Sequence, residues 1–377
     1  MTQENLTTPY YIVYETRLRR NLELIAGVEK NAGVNIIMAF KANALWRTFD
    51  IIRPYNRDFT ASSLNELRLG VETLGGEAHV YCPVYTPATI DRFLAHASHI
   101  TFNSLDQLAR YGLRAKNAGV STGLRVNPRC SVVETDLYNP ALPGSRFGVT
   151  SDKLPDTLPP ELDGFHFHAL CESTSHDLER VLDAFEEQFG KWLPTLRWVN
   201  MGGGHLMTRE GYDTDHLTGL LKAFRKRHPN LQVILEPGSA WTWRTGDLIT
   251  SVVDVVEDSG IKTAIIDTSF ACHMPDTLEM PYRPAITEAL ADDATSGLPY
   301  RLGGNSCLSG DFAGPWLFAD PLQTGQRLTL EDMNHYTTVK TTMFNGLSHP
   351  DIVLERADGR IEILRHFDYN DYKNRMS

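Results

Sequence analysis

The sequence has few cysteines and no paired cysteine motif. Its 377 residues include five cysteines, which are scattered, and no two of them form a CxxC pair. Structural zinc sites and disulfide frameworks depend on such spacing, so the sequence predicts neither. Unpaired cysteines are typical of a reducing compartment, and we therefore expect a cytoplasmic protein.

Long apolar runs and an excess of positive charge are also absent. No apolar stretch approaches the roughly 20 residues of a membrane-spanning helix. The first residues lack the basic and apolar regions of a signal peptide, so we expect no membrane partner. The chain has 36 basic and 47 acidic residues, a net charge of −11. This charge disfavours nucleic acid as a partner and is compatible with a cationic small molecule.

What the sequence does contain is an alternation of strand and helix patterns. Eight strand patterns, most of them separated by helical patterns, lie at 35–41, 59–61, 79–82, 100–102, 123–127, 164–168, 198–201 and 231–235. Eight such repeats predict an α/β fold, a (β/α)8 barrel of the TIM type, rather than an open sheet. The segment 128–160 is rich in Pro, Gly and Asp and shows no helical pattern.

After Pro237 the pattern changes to short alternating strands with long connections. Strand patterns occur at 248–253, 263–266, 337–342 and 361–364. They predict a second, β-rich domain. A strand pattern at 10–14 precedes the barrel, and we assign it to the same domain. The predicted domains are therefore a barrel over 15–240 and a β-rich domain formed by both chain ends, 1–14 plus 241–377.

The first candidate site residue is Lys41, which directly follows a run of five apolar residues. Barrel active sites lie at the carboxyl ends of the strands, so Lys41 is expected at the rim. Apolar surroundings disfavour the ammonium form, which lowers the pKa and makes the amine a nucleophile toward carbonyl compounds. From this segment alone, the alternative is an ordinary solvated lysine.

The segment Phe165-His166-Phe167-His168 alternates with period two. Both imidazoles therefore point to one face and both phenyl rings to the other, and in a barrel the phenyl rings would pack on the helices. His168, at the strand exit, is interpreted as an imidazole stacked on a flat cofactor, as a metal ligand or as a hydrogen-bonded core histidine. No acidic or cysteine ligands accompany the pair at usable spacing, so we predict no metal site.

Two further motifs follow the last two barrel strands. The consecutive glycines Gly202-Gly203-Gly204 let backbone N–H groups converge on an anion, at the place where barrels bind phosphate. A flexible turn is the alternative interpretation. Glu236 follows the eighth strand and is expected in the barrel mouth, where it can hold a proton on a heterocyclic nitrogen. The alternative there is a surface glutamate.

The β-rich region adds a cysteine in a loop. Cys307 lies among glycines in a polar loop that also contains Asp311, and such a cysteine is more exposed than a packed one and can give or take a proton. Tyr336 and Phe344-Asn345-Gly346 complete the candidate motifs. A lysine, a phosphate cradle, a stacking imidazole and a ring-nitrogen carboxylate together predict pyridoxal 5'-phosphate as the cofactor.

In their order along the chain, these motifs resemble the fold-type III pyridoxal-phosphate decarboxylases, and the resemblance extends over residues 10–365. It rests on Lys41-Ala42-Asn43, His168, Gly202-Gly203-Gly204, Glu236-Pro237-Gly238, Cys307 with Asp311, Tyr336 and Phe344-Asn345-Gly346. That family pairs an alanine-racemase-like barrel with a β domain. The resemblance implies a carboxy-lyase that binds pyridoxal phosphate and works as a homodimer with shared active sites.

The resemblance also implies a role for each candidate residue. Lys41 would hold the cofactor covalently, His168 would stack on its ring and Glu236 would keep the ring nitrogen protonated. Cys307 of the partner subunit would protonate the carbon from which carbon dioxide leaves. The cofactor's phosphate would be held by Gly202, Gly203, Gly204 and Tyr336.

Within the family, three features are similar to the branch that decarboxylates carboxynorspermidine and carboxyspermidine in polyamine biosynthesis. They are the loop from Cys307 to Asp311, the segment His273-Met274-Pro275-Asp276, and Ser239. Ser239 stands where ornithine-type enzymes carry an arginine, so one phosphate contact must differ. Asp311 is separated from Cys307 instead of adjacent to it, which suits a longer, polycationic substrate. The resemblance implies that Asp311, with Asp276, binds the distal ammonium groups.

Three other functions are open from the sequence. A related decarboxylase would act on a shorter amino acid such as diaminopimelate, arginine or ornithine. A pyridoxal-phosphate racemase would need a second base facing Lys41 across the ring. A non-catalytic cofactor carrier is usually a barrel alone, so the residues after the barrel argue against it.

Overall fold

The structure is a computed structural model that describes residues 5–133 and 135–377. The chain divides into two compact units, Arg20–Trp241 and the two chain ends Met1–Arg19 with Thr242–Ser377. The boundaries predicted from the sequence are 14/15 and 240/241. In the part of the chain that the structure describes, no helix combines the length and the apolar character needed to cross a bilayer.

The secondary structure of both units is as follows. The strands are β1 (Tyr10–Tyr14), β2 (Asn35–Ile36), β3 (Met38–Ala39), β4 (Phe59–Ala61), β5 (Ala78–Tyr81), β6 (His99–Phe102), β7 (Ser121–Arg125), β8 (Gly164–His166), β9 (Trp198–Asn200), β10 (Gln232–Leu235), β11 (Gly246–Asp258), β12 (Ile261–Ile266), β13 (Leu298–Gly303), β14 (Phe312–Phe318), β15 (Arg327–Leu330), β16 (Asp351–Glu355) and β17 (Ile361–Arg365). The α-helices are α1 (Glu15–Ala32), α2 (Phe49–Ile52), α3 (Leu64–Thr73), α4 (Ile90–Leu94), α5 (Leu105–Asn117), α6 (Ser175–Phe189), α7 (Thr214–Arg227), α8 (Ser239–Thr242), α9 (Phe270–His273), α10 (Asp276–Glu279) and α11 (Tyr369–Met376).

The unit Arg20–Trp241 contains one parallel sheet, with the strand order β2-β10-β9-β8-β7-β6-β5-β4-β3. Its two outer strands, β2 and β3, are pieces of one extended segment, because β2 pairs with β10 and β3 pairs with β4. The backbone N–H groups of this segment donate in turn to the two neighbouring chains. Ile37 N donates to Leu235 O of β10, and Met38 N donates to Asp58 O, just before β4. The segment joins the two edges of the sheet, and the predicted (β/α)8 barrel is confirmed.

Alternation along the strands decides which side chains face the barrel interior. Trp198 packs against Gly123 and Gly164, and a Cβ added at either glycine would overlap its indole ring. The Trp198 Nε1 donates to Ser121 Oγ at 2.9 Å. Glycines in β7 and β8 therefore make room for one large side chain from β9. Asn200, two residues after Trp198, shares its face and lies one layer nearer the carboxyl ends of the strands.

Phe165 in β8 and Phe167, just after it, point away from the barrel interior and pack on a helix, as predicted. The Phe167 ring lies 4.6 Å from that of Phe185, and the Phe165 ring lies 5.8 Å from that of Phe189. Both partners belong to α6. The histidines of the same segment therefore face the barrel interior.

No α-helix connects β7 to β8 among the described residues, which agrees with the missing helical pattern there. The connection contains two short 3-10 turns, Asp136–Tyr138 and Ser151–Lys153. We call residues 128–133 and 135–147 the mouth segment. The backbone just before it and just after it is joined by a parallel bridge between Val126 and Val149.

The chain-end unit has its own sheet, in the order β14-β13-β12-β11-β1-β16-β17, with β15 paired to β11. The strand β1 pairs antiparallel with β11 and parallel with β16. Strands predicted at 248–253, 263–266 and 361–364 correspond to β11, β12 and β17. One face of the sheet is covered by buried side chains that include Leu248, Ala264, Leu302, Trp316 and Leu330.

The strand predicted at 337–342 is wrong. This stretch forms turns, in which Lys340 N donates to Thr337 O at 3.0 Å and Thr341 Oγ1 donates to Thr338 O at 3.3 Å. The branched Cβ of threonine favours strands, but its hydroxyl can bind a nearby backbone carbonyl instead. Here the local hydrogen bonds replace a strand ladder.

Candidate active site

A cavity of about 730 Å³ opens at the carboxyl ends of the barrel strands. Its lining includes residues at or just after the ends of six strands: Ala39, Thr60, Tyr81, Arg125, His166 and Glu236. The part of the mouth segment from Asp136 to Phe147 contributes further lining residues. Because parallel strands of a barrel end at the same rim, residues far apart in sequence meet in this cavity.

Lys41 lies two residues after β3 and lines the cavity, with its side chain open to the cavity space. Although solvent reaches the amine, the barrel end surrounds it, and this burial is the main cause that lowers the pKa of Lys41. The positive charge of Arg125 lowers this pKa further, whereas the carboxylate of Glu236 raises it. The amine is therefore more nucleophilic than that of an ordinary surface lysine.

Glu236 follows β10 and is buried next to Asn200. The Asn200 Nδ2 donates to Glu236 Oε1 at 2.7 Å, and Asn200 Oδ1 accepts from Gly202 N at 2.8 Å. The second hydrogen bond fixes the amide, so that its NH2 group faces the carboxylate. Burial raises the pKa of Glu236, and the Asn200 hydrogen bond and the charge of Lys41 oppose that rise. Asn200 thereby fixes Oε1 of Glu236, and Oε2 points toward His166.

His168 is held by the glycine loop. Gly203 N donates to His168 Nδ1 at 3.0 Å. Burial, together with the charges of Lys41 and Arg125, holds the pKa of His168 well below its ordinary value. The ring is therefore neutral and carries its proton on Nε2. A neutral imidazole fixed in this way presents a flat face to the cavity, which is what the predicted stacking role requires.

His166 is more deeply buried than His168 and faces Glu236. Its Nε2 lies 3.5 Å from Glu236 Oε2. Neither ring nitrogen of His166 makes a hydrogen bond to a described residue. Burial and the nearby cations Arg125 and Lys41 lower the pKa of His166 well below the ordinary value. The imidazole beside Glu236 is therefore neutral and offers either a donor or an acceptor to a bound molecule.

The loop Gly202-Gly203-Gly204 can be formed only by glycine. Gly202 has φ 68° and Gly204 has φ 93°, values that favour glycine. A Cβ at Gly202 would lie 2.5 Å from Phe167 O, and one at Gly204 would overlap the backbone of Leu170. The N–H groups of Gly202 and Gly203 donate to Asn200 and His168. The N–H of Gly204 has no partner among the described residues, and the phosphate-binding role of the loop stays a prediction.

Arg125 is a site residue that the motif analysis missed. It is buried at the end of β7, 4.6 Å from the Tyr81 ring centroid and 4.5 Å from that of Phe147. One of its N–H groups lies 3.4 Å from His168 O. An arginine inside the strand pattern at 123–127 is the signal that identifies it. Its cation adds to that of Lys41, so the cavity attracts carboxylate and phosphate groups.

The remaining candidate residues lie in the chain-end unit, where each has partners of its own. Cys307 is exposed, and its backbone N–H donates to Asn345 Oδ1 at 2.7 Å. Asn345 has φ 58° within the turn Phe344–Gly346. This contact joins two motifs that are far apart in sequence and fixes the loop that presents the thiol. Tyr336 has φ 50°, and its ring lies 6.2 Å from that of His335.

The two carboxylates predicted to bind distal ammonium groups are engaged within their own unit. Asp311 is buried, and its oxygens accept from Ser306 Oγ at 2.5 Å and from Ala271 N at 3.0 Å. Asp276 pairs with Lys340 at 2.6 Å. Asp311 therefore organises the loop of Cys307. The substrate-binding role of both residues stays a prediction.

Two groups of side chains outside the cavity lining have the spacing of metal ligands. They are Glu77, His79 and His99, and His176, Glu179 and His216, and the ligand atoms of each group lie within 4.8 Å of one another. Neither group includes His166 or His168. The sequence prediction of no metal site stays a prediction.

The residues of the cavity fit pyridoxal phosphate. They combine a nucleophilic lysine, a buried carboxylate, a fixed neutral imidazole and a buried arginine. They also include a turn of glycines in which any larger residue would clash with neighbouring backbone. A barrel with this donor set at its strand ends defines the class of pyridoxal-phosphate-binding barrel enzymes. The model of the family described as "Pyridoxal-dependent decarboxylase, C-terminal sheet domain" matches residues 13–334. The chain belongs to the fold-type III pyridoxal-phosphate-dependent decarboxylases and is a carboxy-lyase.

Individual relatives match over the whole length. Carboxyaminopropylagmatine decarboxylase of Synechocystis is 46% identical over 372 residues, which cover 99% of this chain and 96% of the relative. Carboxynorspermidine/carboxyspermidine decarboxylase of Campylobacter jejuni is 38% identical over 385 residues, covering 100% of both chains.

Solved structures agree with these matches. Carboxynorspermidine decarboxylase of Campylobacter jejuni, complexed with norspermidine, has a TM-score of 0.90 at 36% identity and covers 98% of this chain and 100% of its own. Diaminopimelate decarboxylase of Helicobacter pylori has a TM-score of 0.83 at 18% identity, covering 99% of this chain and 98% of its own. The second likeness concerns the fold alone.

Proposed function

We propose that this chain decarboxylates carboxynorspermidine and carboxyspermidine, giving norspermidine and spermidine in polyamine biosynthesis. The observation that carries the proposal is the match to the Campylobacter jejuni enzyme, with 38% identity over the full length and a TM-score of 0.90. The cavity volume of about 730 Å³ lies in the range of small-molecule sites and leaves room for an elongated substrate.

The chain's own residues perform the positioning and the proton chemistry. Bound pyridoxal phosphate supplies an electron sink for the bond that breaks to release carbon dioxide. Lys41 is the amine for covalent attachment, and Glu236 is the carboxylate that stabilises a proton on a ring nitrogen. Asn200 holds Glu236 in place, and His168 presents its ring face. Cys307 of the partner subunit delivers a proton to the α-carbon.

A second candidate substrate is carboxyaminopropylagmatine. The specific observation in its favour is the 46% identity to the Synechocystis enzyme. All three candidate substrates carry an α-amino acid end joined through a secondary amine to an aliphatic chain with a cationic end. They differ in chain length and in whether the end is an ammonium or a guanidinium group, so the same chemistry at the α-carbon serves all of them.

A carbon dioxide release assay across substrates tests the proposal. We expect kcat/KM for carboxynorspermidine or carboxyspermidine to exceed that for diaminopimelate, arginine and ornithine by about 100-fold or more, because a site built for a second distal cation leaves polar groups unpaired with shorter substrates. Carboxyaminopropylagmatine belongs in the same panel. A higher kcat/KM for a short amino acid would contradict the proposal, as would interconversion of L and D forms without carbon dioxide release.

We also propose that the enzyme is a cytoplasmic homodimer with shared active sites. All five cysteines, which the structure describes, are free thiols, which suits a reducing compartment. The exposed Cys307 on a fixed loop is accessible to a second copy of the chain. A two-fold interface is self-complementary and creates two equivalent sites, each drawing on both chains.

Mixed dimers test this sharing. Lys41→Ala and Cys307→Ala should each be nearly inactive, and unfolding and refolding them together should restore activity. Random pairing makes about half of the dimers mixed, and each mixed dimer has one site with both native residues, so roughly a quarter of wild-type activity should return. Cys130→Ala serves as the control for cysteine removal. No recovery in dimers shown to be mixed would mean that Cys307 acts in its own subunit or not at all.

A further inference from the structure

We propose that Asp136, which lines the barrel cavity together with Lys41 and Glu236, forms a subsite for the distal cation of the substrate. The ligand would be the ammonium or guanidinium end of an aliphatic polyamine chain. This inference rests on the proposed function, since it assigns the recognition of the cationic substrate to a residue of the barrel unit itself.

Among the described residues, Asp136 is one of two acidic residues in the lining of the cavity, and the other is Glu236. Glu236 is buried, receives a hydrogen bond from Asn200 and lies beside His166. In the proposed function this carboxylate serves the ring nitrogen of the cofactor and is not available to a chain end. Among the described residues that line the cavity, Asp136 is therefore the one carboxylate free to neutralise a distal cation.

The carboxylate of Asp136 is also open. The residue is exposed, and its side chain makes no ion pair or hydrogen bond with a described residue. By contrast, Asp311 is held by Ser306 and Ala271, and Asp276 is held by Lys340. A cation that binds Asp136 does not have to displace an existing partner.

Asp136 stands on an anchored stretch of backbone. On its N-terminal side, Ser131 Oγ donates to Ala169 O at 2.8 Å, and Asn139 Nδ2 donates to Val133 O at 3.1 Å. At the other end of the mouth segment, Asn103 donates to Arg146 O at 2.8 Å and accepts from Gly148 N at 3.0 Å. The bonds of Ser131 and Asn103 attach the two ends of the mouth segment to residues that follow β8 and β6.

The cavity lining combines positive and negative side chains. Among the described residues of the lining, Arg125 and Arg146 are the arginines, and their charges attract the substrate carboxylate and a phosphate group. The same cations repel the distal ammonium group, and Asp136 attracts it. Leu137 and Tyr138, which also line the cavity, offer apolar surface to the methylene groups of the chain.

The substitution Asp136→Asn removes the charge and keeps the shape of the side chain. In the holoenzyme we expect KM for carboxynorspermidine to rise about 10- to 100-fold, as for the loss of a charged hydrogen-bond partner, while kcat stays within about threefold. The Kd of norspermidine, measured by calorimetry, should rise by a similar factor. Asp156→Asn is the matched control, because Asp156 pairs with Lys191 on the surface and does not line the cavity.

A substrate analogue separates charge recognition from a general structural effect. Replacing the terminal amine of carboxynorspermidine by a methyl group should give the same KM with wild-type enzyme and with Asp136→Asn. An equal rise in KM for both compounds would overturn the proposal. An unchanged KM for carboxynorspermidine in Asp136→Asn would also overturn it. If KM then rises in Asp311→Asn alone, the chain end is assigned to Asp311. If wild type decarboxylates none of the polyamine substrates, the proposed function fails, and the Kd of norspermidine still decides the role of Asp136.

Discussion

The variant Lys41→Ala should lose decarboxylase activity by about 1,000-fold or more, because it lacks both the covalent attachment of the cofactor and the amine next to the reacting carbon. The lowered pKa of Lys41 follows from its burial at the barrel end and from Arg125. In the wild-type holoenzyme, borohydride should reduce a lysine–cofactor carbon–nitrogen double bond and fix the cofactor on Lys41. Peptide mapping of the reduced protein identifies the modified lysine.

Lys191→Ala is the control for this experiment. Lys191 belongs to the same barrel unit, but it forms an exposed ion pair with Asp156, and exposed pairs contribute little to stability. This variant should keep wild-type activity and the wild-type absorption band of the bound cofactor. A reduced adduct on any lysine other than Lys41 would contradict the site assignment, and so would full activity of Lys41→Ala.

The barrel and the positions around it could be predicted because the sequence repeats a simple pattern. Each strand has a short apolar or alternating pattern, and the end of the pattern marks the rim of the barrel. Lys41, His168, Gly203 and Glu236 all follow such patterns, and in a parallel barrel the ends of the strands lie together. Four of the cavity's residues could thus be placed near one another without knowledge of their contacts.

The contacts between these residues could not be predicted. Asn200 appears in the sequence as a polar residue at a strand end, and only the three-dimensional register shows that it bridges Gly202 and Glu236. Asp136 lies in a stretch without periodicity, so no pattern relates it to the cavity. The strand β14 was missed because Gly314 and Pro315 interrupt its apolar pattern, and both residues normally weaken strands.

The variant Glu236→Gln should lower kcat by about 100-fold or more while changing cofactor affinity only a few-fold. A neutral amide cannot favour a positive charge on the ring nitrogen, so the electron sink of the cofactor weakens. The rest of the site is retained, since a glutamine oxygen can still accept the hydrogen bond that Asn200 donates at 2.7 Å. The glutamine NH2 group then faces His166 Nε2, which lies 3.5 Å from the other oxygen of Glu236.

Three measurements separate a loss of chemistry from a loss of cofactor in this variant: kcat at saturating cofactor, the Kd of pyridoxal phosphate for the apoenzyme, and the absorption spectrum as a function of pH. Glu187→Gln on the exposed face of α6 is the control for removing one glutamate charge, and it should leave all three unchanged. Because the cofactor's phosphate and its lysine linkage are untouched by Glu236→Gln, weakened binding alone cannot produce the expected fall in kcat at saturation. A variant that decarboxylates at the wild-type rate would show that Glu236 is not the partner of the ring nitrogen. The next candidate would then be His166, a buried side chain that lies beside Glu236.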